Sequence, residues 1–201
     1  LLVGLLEGGE SGARQEPGSI DLRLEIDGPA RSFAAPADVP HPVGAVFADA
    51  LELLAYDAGA PAQTRRGWLG LGGARLSAPA GATVPVTLVW RVGREVDIDS
   101  RPFVHAVGPD GIGLDGQSDG WPPGENVPTS WRRPPGTWLT GEVFTDTHHV
   151  RIRPDAPAGR YTLRVGMYDP AAIGANLRAV EADGAVPPDG RVGLGPIEVT
   201  R

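Results

Sequence analysis

The stretch 115–131, DGQSDGWPPGENVPTSW, combines a serine, acidic side chains and two tryptophans, residue types that could do chemistry. Its GQSDG (116–120) matches the G-x-S-x-G pattern that presents a hydrolase serine on a strand–turn–helix. Trp121, Pro122 and Pro123 follow, and two prolines so close to the serine prevent that helix from forming. We therefore interpret Ser118 as part of a polar turn and expect no catalytic residue here.

Acidic residues in and before this stretch could supply oxygen ligands to a metal ion. Asp110, Asp115 and Asp119 are the candidate ligands of a structural calcium ion, with Glu125 nearby. Their spacing matches no EF-hand loop, and aspartate is also common in glycine-rich turns, so ordinary turn chemistry is the alternative. Apart from this calcium ion, we expect no cofactor.

His148 and His149 resemble a metal-binding pair until strand geometry is considered. Adjacent residues of a strand point to opposite faces, so the two rings cannot hold one ion. His105 and His148 both fall in the inward register of their predicted strands, and we expect them to hydrogen-bond within the core.

Three tryptophans, Trp121, Trp131 and Trp138, lie in one aperiodic segment. Exposed indoles can stack on sugar rings while polar neighbours bind the hydroxyl groups, which defines a candidate glycan surface. Its members are Trp121, Trp131, Trp138, Asp119, Glu125 and Asn126. The alternative is structural, because a long crossing segment needs large apolar side chains to pin it to the core.

Composition excludes several partners. A net charge of −7 argues against nucleic acid, which requires a concentrated basic face, and against docking on anionic lipid. The chain has no cysteine, so it can form neither a disulfide framework nor a thiolate metal site.

Apolar and polar residues alternate along much of the chain, as they do in strands with one buried face. In TVPVTLVWRV (83–92) the even-numbered residues, Trp90 among them, are all apolar. The same period predicts strands at 20–26, 45–56, 102–107, 142–153, 160–168 and 191–200, with a short one in IGLDG (112–116). About eight strands without an amphipathic helix predict an all-β, two-sheet antiparallel β-sandwich, jelly-roll or immunoglobulin-like.

Residues 20–201 are expected to form this single domain, preceded by a flexible linker over 1–19. LLVGLL (1–6) is too short to span a bilayer, which takes about 20 apolar residues. It could be the end of a transmembrane helix or signal peptide, or only an unstructured chain end. Gly195-Pro196 in the last strand indicates a bulge or an edge position.

Several motifs together resemble a known domain: LVWRV, FVHAVGPDG, QSDGWPP, PTSW, GEVFTDTHHVRI and PAGRYTLRVGMYDP. Over residues 45–170 the chain is similar to the soluble β-sandwich domain that follows the membrane part of bacterial dolichyl-phosphate-mannose mannosyltransferase-like glycosyltransferases and occurs in other envelope proteins. The resemblance implies an extracytoplasmic, membrane-tethered domain in which residues 115–131 join the two sheets. It supplies no catalytic residue, because the chemistry of those enzymes belongs to the membrane portion.

The sequence thus predicts a non-catalytic extracytoplasmic accessory domain that binds glycan or a lipid-linked sugar. Its other expected partner is the membrane-embedded portion of a longer protein. The alternative is a structural or protein-interaction module without a small-molecule ligand, using a polar face such as that of Asp21, Arg23 and Glu25.

Overall fold

The computed structural model describes residues 31–37, 39–59, 76–95, 100–108, 113–114, 138–172 and 175–201. These residues form ten strands and no helix. The strands are β1 (His41–Phe47), β2 (Leu51–Ala58), β3 (Leu76–Pro79), β4 (Thr83–Val92), β5 (Arg101–Val107), β6 (Gly113–Leu114), β7 (Val143–Arg151), β8 (Gly159–Tyr168), β9 (Ala179–Val180) and β10 (Val192–Thr200). The strand predicted at 20–26 lies outside the described residues.

The strands form two five-stranded sheets that enclose one hydrophobic core. Sheet A has the order β7-β4-β2-β1-β9, and sheet B has the order β3-β10-β8-β5-β6. All neighbours are antiparallel except β3 and β10, which run parallel. The all-β, two-sheet sandwich predicted from alternation is confirmed, with this parallel pair as a departure. No helix in the described part of the chain is long and apolar enough to cross a membrane.

Strand β4 contributes a fully buried row of apolar side chains to the core from sheet A. Its apolar register, Val84, Val86, Leu88, Trp90 and Val92, is at most 1% exposed. Trp90 meets the ring of Phe47 edge-on, with centroids 5.5 Å apart. The interpretation of Trp90 as a core residue is confirmed.

The strand predicted over 45–56 is in fact a hairpin, β1 and β2. The turn uses left-handed backbone at Ala48 (φ 50°) and Asp49 (φ 52°), where sequence offers no glycine or proline as a signal. Tertiary contacts stabilise it: the Ala48 N–H donates to the Arg178 carbonyl at 2.9 Å, and the Arg178 guanidinium pairs with Asp49 at 2.9 Å. Phe47 and Leu51 pair across this turn and are both fully buried.

Strand β10 contains the predicted bulge. Its pairing with β8 shifts between Gly193 and Gly195, which leaves Leu194 as the extra residue. The Leu194 carbonyl accepts a 2.6 Å hydrogen bond from the Tyr56 hydroxyl, which reaches across from sheet A. A Cβ at residue 195 would lie 2.5 Å from that hydroxyl oxygen, so glycine is required by close approach.

The connection between β6 and β7 crosses from one sheet to the other. β6 is an edge strand of sheet B, and β7 is an edge strand of sheet A. The chain between β6 and β7 therefore passes from sheet B to sheet A, and residues 115–137 of this connection lie outside the described residues.

Candidate functional site

Most of the residues singled out in sequence lie outside the described part of the chain. These are Asp110, Asp115, Ser118, Asp119, Trp121, Glu125, Asn126 and Trp131. The glycan surface and the calcium ligands predicted there remain predictions. The described residues flank this segment at its two ends, in β6 and at Trp138.

Trp138 belongs to the core rather than to the surface. The side chain is 5% exposed and packs against Phe144, with ring centroids 5.0 Å apart. The turn that follows is closed by Glu142, whose N–H donates to the Leu139 carbonyl and whose carboxylate accepts the Leu139 N–H. A ring so buried offers no face for a sugar, so Trp138 anchors the chain and drops out of the candidate binding surface.

The buried Glu142 also receives an ion pair from the chain that precedes β1. Arg31 Nη1 lies 2.7 Å from Glu142 Oε2, and the Glu142 side chain is 1% exposed. Beside this pair, the Val143 N–H donates to the Ser32 carbonyl at 2.7 Å, which adds an isolated bridge to the edge of β7. Arg31 and Ser32 thereby cover the start of an edge strand.

The inward face of β7 carries a buried polar pair. His148 Nε2 and Asp146 Oδ2 form a 2.9 Å hydrogen bond, and both side chains are at most 5% exposed. His149 is exposed on the opposite face, as strand geometry requires. The prediction of an inward, hydrogen-bonded His148 is confirmed. In the described part of the chain, no group of three or more His, Asp and Glu side chains could hold a metal ion.

His105 does not point into the core as expected. In β5 the inward residues are Val104 and Ala106, both fully buried, and His105 lies with Phe103 on the other face. The prediction of an inward His105 is wrong, because apolar residues occupy both faces of this strand. The pattern therefore could not identify which face is inward.

Phe103 is buried although it projects from the outer face of sheet B. It is 3% exposed and lies over Gly166, its partner on β8. A Cβ at residue 166 would lie 2.2 Å from the phenyl Cζ, so the ring occupies the space a side chain would take. His105 and Tyr168 flank the ring, with centroids 4.5 Å and 6.2 Å away.

Two arginines complete this arrangement, which we call the Phe103 cluster (Phe103, His105, Arg164, Tyr168, Asp189 and Arg191). Arg164 binds both carboxylate oxygens of Asp189, at 2.9 and 3.2 Å, and donates to the Arg191 carbonyl at 2.8 Å. The Arg191 guanidinium lies 5.5 Å from the centre of the Phe103 ring. This cluster was not predicted from the sequence, although a glycine within β8 is a signal of close approach.

Comparison with known proteins identifies no family. No family model matches the chain, and no curated protein matches it. Among solved structures, it is similar to the crystal structure of a Niemann-Pick type C2 protein from the Japanese carpenter ant, at 8% identity. The match covers 74% of this chain and 91% of that chain, with a TM-score of 0.37. At this TM-score we draw no functional conclusion from the likeness.

Proposed function

We propose that this chain is a non-catalytic accessory domain of an extracytoplasmic protein, and that it binds a glycan or lipid-linked sugar through residues 115–137. The observation that carries the proposal is the topology: this segment runs between the edge strands of the two sheets, β6 and β7. Trp138, at its end, is buried against Phe144. The sandwich thus fixes both ends of a segment rich in binding side chains.

Fixing the ends of a binding segment favours affinity. Binding orders side chains and loops at a cost of about 0.5–1.5 kcal/mol per immobilised side chain, and preorganisation lowers that cost. Trp121 and Trp131 supply apolar faces for sugar rings, and Asp119, Glu125 and Asn126 supply hydrogen-bond partners for hydroxyls.

The setting proposed for the domain follows from its sequence resemblance to the soluble domain of bacterial polytopic glycosyltransferases. In that setting, the membrane-embedded portion of a longer protein is its covalent partner. A calcium ion bound by Asp110, Asp115 and Asp119 would be a structural cofactor of the same region.

An equilibrium glycan-array screen of the full chain, with and without Ca²⁺, tests the proposal. Tryptophan fluorescence then follows titration with any glycan that binds. We expect Trp121→Ala and Trp131→Ala to weaken binding about fivefold or more, since a base stacked on an aromatic side chain contributes about 1–3 kcal/mol. Trp138→Phe is the matched control, because it keeps an aromatic ring in the core and should bind normally. Unchanged affinity in both alanine variants would refute the site.

A protein-interaction module is the second candidate, and it is favoured by two exposed apolar side chains. Phe33 is 57% exposed and Leu139 is 49% exposed, and both lie beside the start of β7. Cross-linking in the native envelope tests this reading. If the parent protein binds no glycan and both Phe33→Ser and Leu139→Ser lose one specific cross-linked product, the result would support a protein-interaction module over a glycan-binding domain.

A further inference from the structure

We propose that Arg191 is the centre of a binding site for an oxyanion, the carboxylate or phosphate of a small anionic sugar, on the outer face of sheet B. Its residues come from β5, β8 and the chain entering β10, and none belongs to segment 115–137. The proposal is therefore independent of the glycan surface described above.

The fold holds the Arg191 guanidinium in a defined place. The far end of the Phe103 ring occupies the space above Gly166, and the Arg191 guanidinium lies over that ring at 5.5 Å. The Arg191 N–H donates to Asp189 Oδ1 at 3.2 Å, and the Arg191 carbonyl accepts from Arg164. Backbone and side chain are thus both oriented before any ligand arrives, which lowers the cost of binding.

Among the described residues, no acceptor pairs with the Arg191 guanidinium. Its Nε is buried and has no hydrogen-bond partner among the described residues. Neither a carboxylate nor a carbonyl in that part of the chain accepts a bond from its guanidinium. The Nε is shielded from solvent, so an anion would pair with the terminal N–H groups of this partly buried side chain, where a charge-assisted hydrogen bond is favourable.

Asp189 is the nearby acid, but its oxygens are already engaged. Both accept hydrogen bonds from the Arg164 guanidinium, and one also accepts the Arg191 backbone N–H. The bidentate geometry commits the carboxylate to Arg164. Asp189 is therefore paired with Arg164 rather than with the Arg191 guanidinium.

The chemistry of arginine defines the ligand. Its planar fork of N–H donors matches the oxygens of a carboxylate or a phosphate, whereas a neutral hydroxyl offers no charge to pair. The guanidinium lies over the Phe103 ring at 5.5 Å, and its terminal N–H groups are the donors available to an anion. Arg191 is only partly buried, so an anion can approach from solvent.

The first measurement is the arginine Nε–H signal in ¹H–¹⁵N NMR spectra of the full chain. Because the Arg191 Nε is shielded from water, its proton should exchange slowly and give a resolved signal. Sodium glucuronate and glucose 1-phosphate are titrated separately to distinguish a carboxylate source from a phosphate source. Neutral glucose and sodium chloride are the controls for sugar contact and for ionic strength.

We expect at least one anionic sugar to shift this signal saturably, while glucose and chloride do not. Arg191→Gln should weaken binding, measured by calorimetry, at least tenfold, and Arg191→Lys should fall between it and the parent. Arg151→Gln, which removes a charge from the outer face of sheet A, is the matched control and should bind normally. If Arg191→Gln fails to fold, the shift in the parent protein remains decisive.

Several results would overturn the proposal. They are an unmoved Arg191 signal at tens of millimolar of both anionic sugars, an equal shift with chloride, or equal binding by Arg191→Gln. The Trp121→Ala and Trp131→Ala variants should keep the Arg191 shift, so failure of the glycan surface and failure of this site are distinguishable.

Discussion

Gly166 has no side chain, and the ring of Phe103 occupies the space that a side chain would fill. A Cβ there would lie 2.2 Å from the Cζ of Phe103, which is backed by the rest of its cluster. We expect Gly166→Ala to lower the free energy of unfolding by about 1–3 kcal/mol, the usual cost of overpacking. Urea denaturation measures this loss. The control is Gly193→Ala, where an added Cβ meets nothing within 4 Å; equal losses in the two variants would contradict the assignment.

Tyr56 links the two sheets through its hydroxyl group. The 2.6 Å bond to the Leu194 carbonyl is lost in Tyr56→Phe, and we expect the free energy of unfolding to fall by about 1 kcal/mol at neutral pH. Burial raises the pKa of the Tyr56 phenol above its usual value of 10.0. The unfolded chain therefore releases this proton at a lower pH than the folded protein does.

The pH dependence of Tyr56 has a defined sign. Its stabilising contribution is complete below the pKa of the unfolded phenol and is lost as pH rises from there through the folded pKa. We expect the stability difference between the parent and Tyr56→Phe to shrink above about pH 10. Paired urea denaturations at neutral and alkaline pH measure the difference, and the comparison cancels the titration of other groups. A constant difference would show that the pKa of Tyr56 is not raised.

At the scale of elements, β7 is an edge strand that carries a polar pair on its inner face. Asp146 and His148 bond to one another within the core. Removing one partner leaves a buried polar group without that bond, whereas replacing both leaves an apolar surface. We expect Asp146→Val and His148→Leu each to destabilise by about 2 kcal/mol or more, and the double variant to lose less than the sum.

A double-mutant cycle of urea denaturations measures this coupling. Thr87→Val and Thr147→Val supply a matched cycle, because their hydroxyls pair across β4 and β7 on the exposed face at 3.0 Å. The exposed pair should couple weakly, since water replaces a lost partner. Additive losses for Asp146 and His148 would mean that the two residues act independently.

Inward polar groups on an edge strand also discourage edge-to-edge association, so the double variant of Asp146 and His148 should aggregate more readily than the parent protein.

Alternation predicted most of the described strands, and its failures have physical causes. Long strands such as β4 and β7 carry their own pattern, because every second residue faces the core. The turn at Ala48 and Asp49 carries no such pattern, because Arg178, far along the chain, helps to stabilise it. The short strands β3 and β9 went unpredicted because a two- to four-residue element is specified by its partners rather than by its own period.

The same reasoning explains the candidate sites. A buried His148 followed from register alone. The Phe103 cluster did not, because Arg164, Asp189 and Arg191 come together only when β5, β8 and the chain before β10 are aligned. The sequence does not distinguish Trp138 from Trp121 and Trp131. Its packing against Phe144 identifies it as a core residue.

At the scale of the whole molecule, residues Arg31–Arg201 form one compact unit. The predicted domain began at residue 20, and the described structure contains the contacts of Arg31 and Ser32 with the edge of β7. These contacts cover the start of β7 at one edge of sheet A, so we expect the sandwich to need its sequence from Arg31 onward. The boundary can be tested by truncation at two positions four residues apart.

We expect a fragment of residues 31–201 to unfold at the same urea concentration as the full chain, because it keeps every contact described for this edge. A fragment of residues 35–201 loses the Arg31–Glu142 ion pair and the Ser32–Val143 bond. Glu142 then keeps a buried carboxylate without its arginine, which costs about 3 kcal/mol or more. Adding Glu142→Gln to the fragment of residues 35–201 should restore part of that stability, because a neutral amide is less costly to bury than a charge.

Equal stability of the two fragments would show that the edge of β7 does not need Arg31 and Ser32. If the fragment of residues 31–201 is already much less stable than the full chain, the domain boundary lies closer to residue 20.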